Sequence, residues 1–345
     1  MGTYEMTGQL DVVREGNLGI IALNRPEAIN ALSREMIDGI TRTLEQWRDD
    51  EGIRAVLFEG RGPRGFCSGG DVRAVRSLAL QGDYAAADAY FAAEYAMNAL
   101  ISTYAKPTVA LTHGVVMGGG IGIAGHCRYR FTTPEARFAM PEAAIGFVSD
   151  VGVSHLLAKA PVHRALLFLM SGVAVGAADA MALGLTDCIH DPARRDDLLG
   201  AAVAAASAAN PDAELVHLVQ VEMIPEGEAP FTALADAYRA ASWTQASDVL
   251  AAVGDEPIAA GLRAGAPASA VAIFESHMAA RRKADIRDVL ALDLALARLM
   301  CRRPDFAEGV RAVLVDKDRK PAWNRDDIAA VSEAIAAVVE ADRLV

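Results

Sequence analysis

Cysteine is scarce in this sequence of 345 residues, and its few copies are widely spaced. No Cys-x-x-Cys pair occurs among the four cysteines, which are Cys67, Cys127, Cys188 and Cys301. Close cysteine pairs are typical of zinc sites and of disulfide-stapled domains. We therefore expect neither a metal site nor a disulfide framework, and we expect a cytoplasmic protein, because reducing conditions prevail there.

Long apolar runs and a secretion signal are also missing. No apolar stretch reaches about 18 residues without a charge, a glycine or a proline, so the sequence predicts no membrane span. The N-terminus lacks a basic segment followed by an apolar one, so we expect no signal peptide.

Positive charge is sparse as well. The chain carries 33 Lys and Arg against 45 Asp and Glu, for a net charge of -12, and its basic runs are as short as Arg281-Arg282-Lys283. General nucleic-acid binders present a basic face, so we expect no nucleic-acid partner. A few local cations and backbone amides suffice to bind an anionic cofactor, so this composition leaves such a ligand possible.

The first 190 residues alternate strand-like and helix-like patterns. Short β-rich runs occur at 18–24, 53–60, 106–114 and 128–133. Apolar residues at helical spacing follow Ser33, a predicted N-cap, and the segments 155–171 and 176–184 have helical patterns too. Alternation of this kind is typical of an α/β domain.

The composition changes after about residue 192. Alanine dominates, glycine becomes rarer, and the periodicity is helical to the end of the chain, with prolines between the predicted helices. The sequence therefore predicts two regions, an α/β core over residues 1–192 and a helical region over residues 193–345.

Two glycine-rich stretches follow predicted strands. The stretch 60–71 lacks the Gly-Lys-Ser/Thr ending of a nucleoside triphosphate loop. The stretch 117–125 contains Gly-x-Gly-x-x-Gly, but residues 114–117 lie between its glycines and the strand end, which disfavours a nicotinamide-dinucleotide site. The alternative use is electrostatic, because two such loops can each direct one backbone amide at one oxyanion.

A third stretch, Met140–Gly152, is apolar except for two acids, Glu142 and Asp150. Taken singly, a glutamate after a proline is most often a first-turn helix residue, and a lone aspartate is most often a turn residue. Two acids in an apolar pocket would instead have perturbed pKa values suited to acid–base chemistry. The residues alone leave both interpretations open.

Taken together, these motifs resemble the crotonase (enoyl-CoA hydratase/isomerase) superfamily. The matching segments are Asn24–Pro26 with Asn30–Leu32, Phe66–Asp71, Lys106–Gly120 and Met140–Glu142. The resemblance implies a spiral of ββα units followed here by a long helical C-terminal region. It also implies that the amides of Gly70 and Gly119 form an oxyanion hole for an acyl-CoA thioester.

The resemblance also bears on the reaction. The superfamily's hydratases use a second glutamate at the position that Gly122 occupies here, and glycine cannot transfer a proton. Glu142 with Asp150, and the tail 305–323, are similar instead to the 3-hydroxyisobutyryl-CoA hydrolase branch. This similarity implies thioester hydrolysis in valine catabolism, with Glu142 and Asp150 as catalytic residues.

The branch also implies substrate contacts. Glu94 matches a substrate-contacting glutamate, although a solvent-facing position is the ordinary alternative. Ser68 and Asp71 are further substrate-binding candidates, and Asp71 is also the predicted N-cap of the next helix. Coenzyme A enters as part of the substrate, and no separate cofactor is implied. Because superfamily members form trimers and hexamers, a homo-oligomer is a further expectation.

The sequence departs from the branch beside its second acid. Val148-Ser149 and Val153-Ser154-His155 stand where the branch has other residues, and these positions are expected to line the acyl pocket. His155 is either a structural residue at a helix start or a catalytic one. Two alternative functions follow, namely an enoyl-CoA hydratase or isomerase and a non-catalytic acyl-CoA binder.

Overall fold

Two β-sheets and many helices make up the chain in a computed structural model, which describes residues 5–225, 227–254, 256–325 and 327–343. The strands are β1 (Glu5–Thr7), β2 (Leu10–Glu15), β3 (Leu18–Leu23), β4 (Ala55–Gly60), β5 (Gly65–Cys67), β6 (Thr108–Thr112), β7 (Val115–Met117), β8 (Tyr129–Thr132), β9 (Arg137–Ala139) and β10 (Cys188–Ile189).

The α-helices of the described residues fall between and after these strands. They are α1 (Arg34–Arg48), α2 (Val72–Leu80), α3 (Tyr84–Ser102), α4 (Gly119–Ala124), α5 (Val153–Leu156), α6 (Val162–Ser171), α7 (Ala177–Ala182), α8 (Arg195–Ser207), α9 (Pro211–Val221), α10 (Pro230–Asp236), α11 (Ala246–Ala252), α12 (Ile258–Ala264), α13 (Pro267–Ala280), α14 (Ile286–Cys301), α15 (Pro304–Val310) and α16 (Ile328–Arg343).

Local sequence signals explain several of these boundaries. Ser33 caps α1 by accepting a hydrogen bond from the backbone N–H of Met36, as predicted. The helical pattern predicted over 155–171 is broken in the structure, since α5 ends at Leu156 and α6 begins at Val162. Pro161 lies directly before α6 and has no N–H for a helical hydrogen bond, which accounts for the break.

The larger sheet has the order β1-β2-β3-β4-β6-β8-β10. Its first two pairings are antiparallel, and the pairings from β3 to β10 are parallel. Parallel neighbours require a crossover connection, which places the carboxyl ends of β4, β6 and β8 at one edge. The predicted α/β class is confirmed.

A ββα repeat is visible in the order of the elements. A strand of the larger sheet is followed by a strand of the smaller sheet β5-β7-β9 and then by a helix. This sequence of elements occurs as β4-β5-α2, as β6-β7-α4, and as β8-β9 followed by the 3-10 helix Glu142–Ile145. The spiral of ββα units that the resemblance implies is therefore present.

The chain forms two compact units, each assembled from separate stretches of sequence. Unit 1 comprises residues 1–70, 96–138 and 175–229, and unit 2 comprises residues 71–95, 139–174 and 230–345. The sequence predicted a boundary at residue 192 between two consecutive regions of the chain. The compact units are assembled from non-consecutive stretches and do not test this boundary, which stays a prediction.

The core of unit 1 lies between the larger sheet and two helices. Side chains of the sheet pack against α8 and α9, and nearly all are fully buried. The set includes Ile20, Leu57, Val109, Phe131, Leu198, Ala202 and Leu215. Burial of apolar surface on this scale is the main stabilising contribution to such a layer.

Unit 2 is predominantly helical. Its interior holds a row of aromatic rings in which Phe147 stacks on Phe91 with centroids 5.0 Å apart and contacts Phe306 at 5.4 Å. After residue 192, the regular elements of the described chain are all helical, which confirms the predicted helical C-terminal region. None of the helices described is long and apolar enough for a bilayer crossing.

Candidate active site

Two glycine loops lie side by side in unit 1. They follow β5 and β7, which are parallel neighbours in the smaller sheet. Gly69 has a φ of +110° and Gly118 a φ of +49°, conformations that favour glycine. A Cβ atom built on Gly69 would lie 3.6 Å from the backbone nitrogen of Gly119, so the loops that carry Gly70 and Gly119 are in close contact.

The first of these loops is held by the segment that contains Asn30. The buried Asn30 side chain donates to the carbonyl oxygens of Arg61, at 2.9 Å, and Phe66, at 3.0 Å. The backbone N–H of Leu32 donates to the carbonyl oxygen of Gly69 at 2.8 Å. The Asn-Ala-Leu motif therefore fixes the position of the loop, a role that the sequence did not reveal.

The second loop leads directly into α4, whose first residue is Gly119. Close packing requires glycine at the next position, because a Cβ on Gly120 would lie 2.6 Å from the carbonyl oxygen of Cys67. Gly122 is buried within the same short helix, so no acid is present where the hydratases have one.

Three predicted carboxyl groups are buried in unit 2. Glu94 is 2% exposed, and Glu142 and Asp150 are each 6% exposed. Glu142 begins the 3-10 helix that follows Pro141, while Glu94 lies on α3. Oε1 of Glu94 and Oε2 of Glu142 lack hydrogen-bond partners among the described residues. The solvent-facing alternative for Glu94 is wrong for this structure.

These carboxyl groups perturb one another. Burial raises the pKa of Glu142 well above its ordinary value, and the charges of Asp150 and Glu94 raise it further. Burial and the charge of Asp150 likewise raise the pKa of Glu94. Burial also raises the pKa of Asp150, to about 7, against the opposing effect of a hydrogen bond from Tyr95. The three acids therefore form one electrostatically coupled group.

Two residues join this group that the sequence did not suggest. The hydroxyl of Tyr95 donates to Oδ2 of Asp150 at 2.5 Å. Asp293 is 0% exposed on α14, and its Oδ2 accepts the backbone N–H of Gly152 at 2.8 Å. The only sequence signal for Asp293 is a single acid on an otherwise apolar helical face.

The remaining predicted residues serve visible structural purposes. Asp71 caps α2 by accepting the N–H of Ala74 at 3.3 Å, as predicted. The hydroxyl of Ser68 donates to the carbonyl oxygen of Ala28 at 3.0 Å. Their contact with substrate stays a prediction.

The departures beside Asp150 are all in the interior. Val148, Ser149, Val153 and Ser154 are buried. The Ser154 hydroxyl lies 3.3 Å from Nδ1 of His277, a residue far away in sequence. His155 is only partly buried on α5, and burial lowers its pKa. The buried histidine of this region is therefore His277, whereas the sequence had drawn attention to His155.

Unit 1 also contains a cavity of about 420 Å³ at the carboxyl ends of β4 and β6. Its lining residues are Glu59, Gly60, Arg61, Gly62, Leu111, Thr112, His113, Thr133, Glu135, His190, Pro192 and Arg195. None of the predicted site residues lines this cavity. Within the described chain, no three His, Cys, Asp or Glu side chains are arranged to hold a metal ion.

Comparison with known proteins finds sequence similarity over nearly the whole chain. A family model described as enoyl-CoA hydratase/isomerase matches residues 18–339. The mitochondrial 3-hydroxyisobutyryl-CoA hydrolase of Danio rerio is 32% identical over 336 residues, which cover 92% of this chain and 85% of that protein. The Homo sapiens protein of the same name is 30% identical over 332 residues, with coverages of 93% and 85%.

Two solved structures have the same fold at similar identity. A carnitinyl-CoA dehydratase from Mycobacterium thermoresistibile has a TM-score of 0.85 and 31% identity, with 96% of both chains covered. An enoyl-CoA hydratase from Rhodobacter sphaeroides 2.4.1 has a TM-score of 0.86 and 31% identity, with 96% of this chain and 97% of that one covered. The fold implied by the sequence resemblance is thus confirmed.

Proposed function

The chain belongs to the enoyl-CoA hydratase/isomerase family, and from this premise we propose that it hydrolyses an acyl-CoA thioester. Water adds to the thioester carbonyl carbon, the C–S bond breaks, and the products are a free acid and coenzyme A. The proposed substrate is 3-hydroxyisobutyryl-CoA, the compound named in the curated relatives, which would place the reaction in valine catabolism.

The observation that carries this proposal is the buried group of Glu142, Asp150 and Glu94. Unpaired carboxylates in a protein interior destabilise the fold, so such groups concentrate at functional sites. The acid that a two-glutamate hydratase requires is absent, because Gly122 has no side chain. The available carboxyl groups suit hydrolysis better than hydration.

Glu142 is the proposed residue for the first chemical step. Its Oε2 is buried without a hydrogen-bond partner among the described residues, so no hydrogen bond from them occupies the lone pairs of this oxygen. The carboxylate either attacks the thioester carbon to give a mixed anhydride or removes a proton from the attacking water. Both routes require ionised Glu142, and both end in the same products.

The developing oxyanion needs hydrogen-bond donors. We assign this role to the backbone N–H groups of Gly70 and Gly119, and a single such donor is worth about 3 kcal/mol in comparable enzymes. Asp150 titrates near neutral pH because burial raises its pKa to about 7. It is therefore suited to deliver the proton that the departing thiolate takes up, while Glu94 is the proposed acceptor for the substrate hydroxyl.

A second candidate function is hydration or dehydration of an enoyl-CoA. The two solved structures described above are those of a dehydratase and a hydratase, and their sequences are as similar to this chain as those of the hydrolases. The third candidate is a protein that binds acyl-CoA without turnover, motivated by the altered residues around Asp150.

One panel of substrates separates the three. Purified protein is incubated with 3-hydroxyisobutyryl-CoA and with enoyl-CoA esters, while thiol release and enoyl absorbance are followed in parallel. Thiol release from the hydroxy ester supports hydrolysis. Loss of enoyl absorbance without thiol release supports the hydratase, and tight binding of an ester without either signal supports the binder.

A further inference from the structure

A buried acid on α14 reaches the turn that carries Asp150. Asp293 is fully buried, and its Oδ2 accepts the backbone N–H of Gly152 at 2.8 Å. Its Oδ1 is also buried and has no hydrogen-bond partner among the described residues. A buried carboxyl oxygen without a hydrogen-bond partner is unfavourable, so the presence of an acid at this position calls for an explanation.

The turn itself is conformationally unusual. Val151 has a φ of +54° and Gly152 a φ of +72°. A β-branched residue in the left-handed region is rare, and it persists only where surrounding contacts hold it in place. The turn is closed on its other side by the N–H of Val153, which donates to the carbonyl oxygen of Asp150 at 3.1 Å. From outside the turn, Asp293 holds it by accepting the N–H of Gly152.

We infer that Asp293 is a positioning residue for Asp150, fixing the 150–152 turn through Gly152 so that the Asp150 carboxyl meets the Tyr95 hydroxyl. This inference rests on the proposed hydrolysis, in which Asp150 takes part. The hydrogen bond fixes the backbone two residues beyond Asp150. The side chain of Asp150 is then held at its other end by Tyr95.

The charges around Asp293 extend this role to protonation. Asp150 and Asp342 act on it as like charges, and Asp342 is paired with Lys283 at 2.8 Å. Burial, followed by the charges of Asp150 and Asp293, raises the pKa of the Tyr95 hydroxyl. Burial, followed by the charge of Asp150, raises the pKa of Asp293. The ionised form of Asp150 therefore favours the protonated form of Asp293.

Two substitutions separate the hydrogen bond from the charge. Asp293→Asn keeps an oxygen that can accept from Gly152 but removes the ionisable group. Asp293→Leu has a similar size and removes both. Asp288→Asn, an exposed position on the same helix, is the matched control for loss of one acid.

The readouts are kcat, KM and the pH profile of thioester hydrolysis. We expect Asp293→Asn, which keeps an acceptor for Gly152, to keep kcat within about threefold and to leave the Asp150-dependent limb of the profile near its wild-type position, because burial and the charge of Asp150 favour the uncharged form of Asp293. We expect Asp293→Leu to lower kcat at least tenfold with little change in KM, and to move the Asp150-dependent limb to higher pH, because the Tyr95 hydrogen bond that lowers the pKa of Asp150 is weakened when the turn shifts. A purely structural role would lower thermal stability and leave kcat per folded molecule and the pH profile unchanged.

A thermodynamic cycle distinguishes failure of the positioning role from failure of the proposed hydrolysis. Thermal stability is measured across pH for Asp150→Asn, Asp293→Asn and the double variant, and the coupling between the two positions needs no activity. Coupling without hydrolysis overturns the proposed function alone. Wild-type kinetics in both variants, or additive stability effects, overturns the positioning role. If Asp293→Leu does not fold, the coupling between Asp150→Asn and Asp293→Asn decides.

Discussion

Tyr95 donates its phenolic hydrogen to Oδ2 of Asp150 across 2.5 Å, and both side chains are buried in unit 2. The hydrogen bond favours the ionised form of Asp150, while burial disfavours it more strongly. Because the resulting pKa is about 7, Asp150 changes protonation in the range where enzymes work. This balance has a consequence for stability that can be measured.

Asp150→Asn is expected to raise the melting temperature at pH 8 by a few degrees. Between the unfolded value of 3.8 and the folded value of about 7, the native state keeps a proton that the unfolded state loses. The stability of the wild type therefore falls as the pH rises through this window. An uncharged Asn avoids that loss and retains an acceptor for Tyr95.

The advantage of Asp150→Asn should shrink as the pH falls and vanish below about pH 4, where both states of the wild type bind the proton. Thermal scans at pH 4, 6 and 8 measure it, with the exposed Asp288→Asn as control for net charge. An advantage that is constant with pH would contradict the buried titration of Asp150.

Glu142→Gln is expected to reduce kcat for thioester hydrolysis by about 10²–10⁴-fold, because the amide can neither attack carbon nor accept a proton. Binding of the CoA ester should change little, since size and shape are conserved. Thiol release and ester affinity are measured together. Glu45→Gln, exposed on α1, is the control and should match the wild type. Equal rates in both variants would exclude Glu142 from the chemistry.

Gly120→Ala and Gly200→Ala should act in opposite directions. At Gly120 the new methyl group would meet the Cys67 carbonyl oxygen at 2.6 Å, so the two glycine loops must separate and both stability and kcat should fall. At Gly200, exposed within α8, nothing lies within 4 Å, and alanine should stabilise by about 0.5–1 kcal/mol. Chemical denaturation and thiol release report both effects. Unchanged stability for Gly120→Ala would contradict the tight loop packing.

Asp236→Asn tests an ion-pair cluster in unit 2. Asp236 accepts two hydrogen bonds from Arg164, at 2.6 and 2.7 Å, and one from Nε2 of His163 at 3.0 Å. These contacts lower its pKa from the ordinary 3.8. We expect the variant to lose about 1–3 kcal/mol of stability at pH 7.

That difference should begin to diminish as the pH falls below about 4, since the unfolded chain then binds a proton that the native carboxylate binds only at lower pH. Denaturation at pH 7 and pH 3 tests this expectation. The control is Asp197→Asn, whose side chain is 72% exposed beside Arg194 and should change stability by less than about 1 kcal/mol. Equal losses in the two variants would argue against a special role for Asp236.

Much of the fold was predictable because it depends on local signals. The strands at 18–24 and 53–60, the Ser33 cap and the Asp71 cap follow from apolar periodicity and capping chemistry, and the structure has each of them. The resemblance also located Glu142 and Asp150, which both prove to be buried.

Partners contributed by distant parts of the chain were not predictable. Asp293 lies 141 residues from Gly152, whose N–H donates to it. The local sequence gives no sign of this contact except an acid on an apolar helical face. The same holds for His277 beside Ser154, 123 residues away. Burial and hydrogen bonding of such residues depend on tertiary packing, which periodicity does not encode.

The interleaving of the two units constrains how this chain acquires its structure during synthesis. Unit 1 lacks its last stretch until residue 229 has been made, and unit 2 draws on residues from 71 to the end of the chain. While the chain grows, the stretches 71–95 and 139–174 must wait for helices that are translated last. Contacts between distant segments form slowly and expose apolar surface in the interval. A ribosome-bound chain that stops near residue 229 is therefore expected to be a preferred client of chaperones.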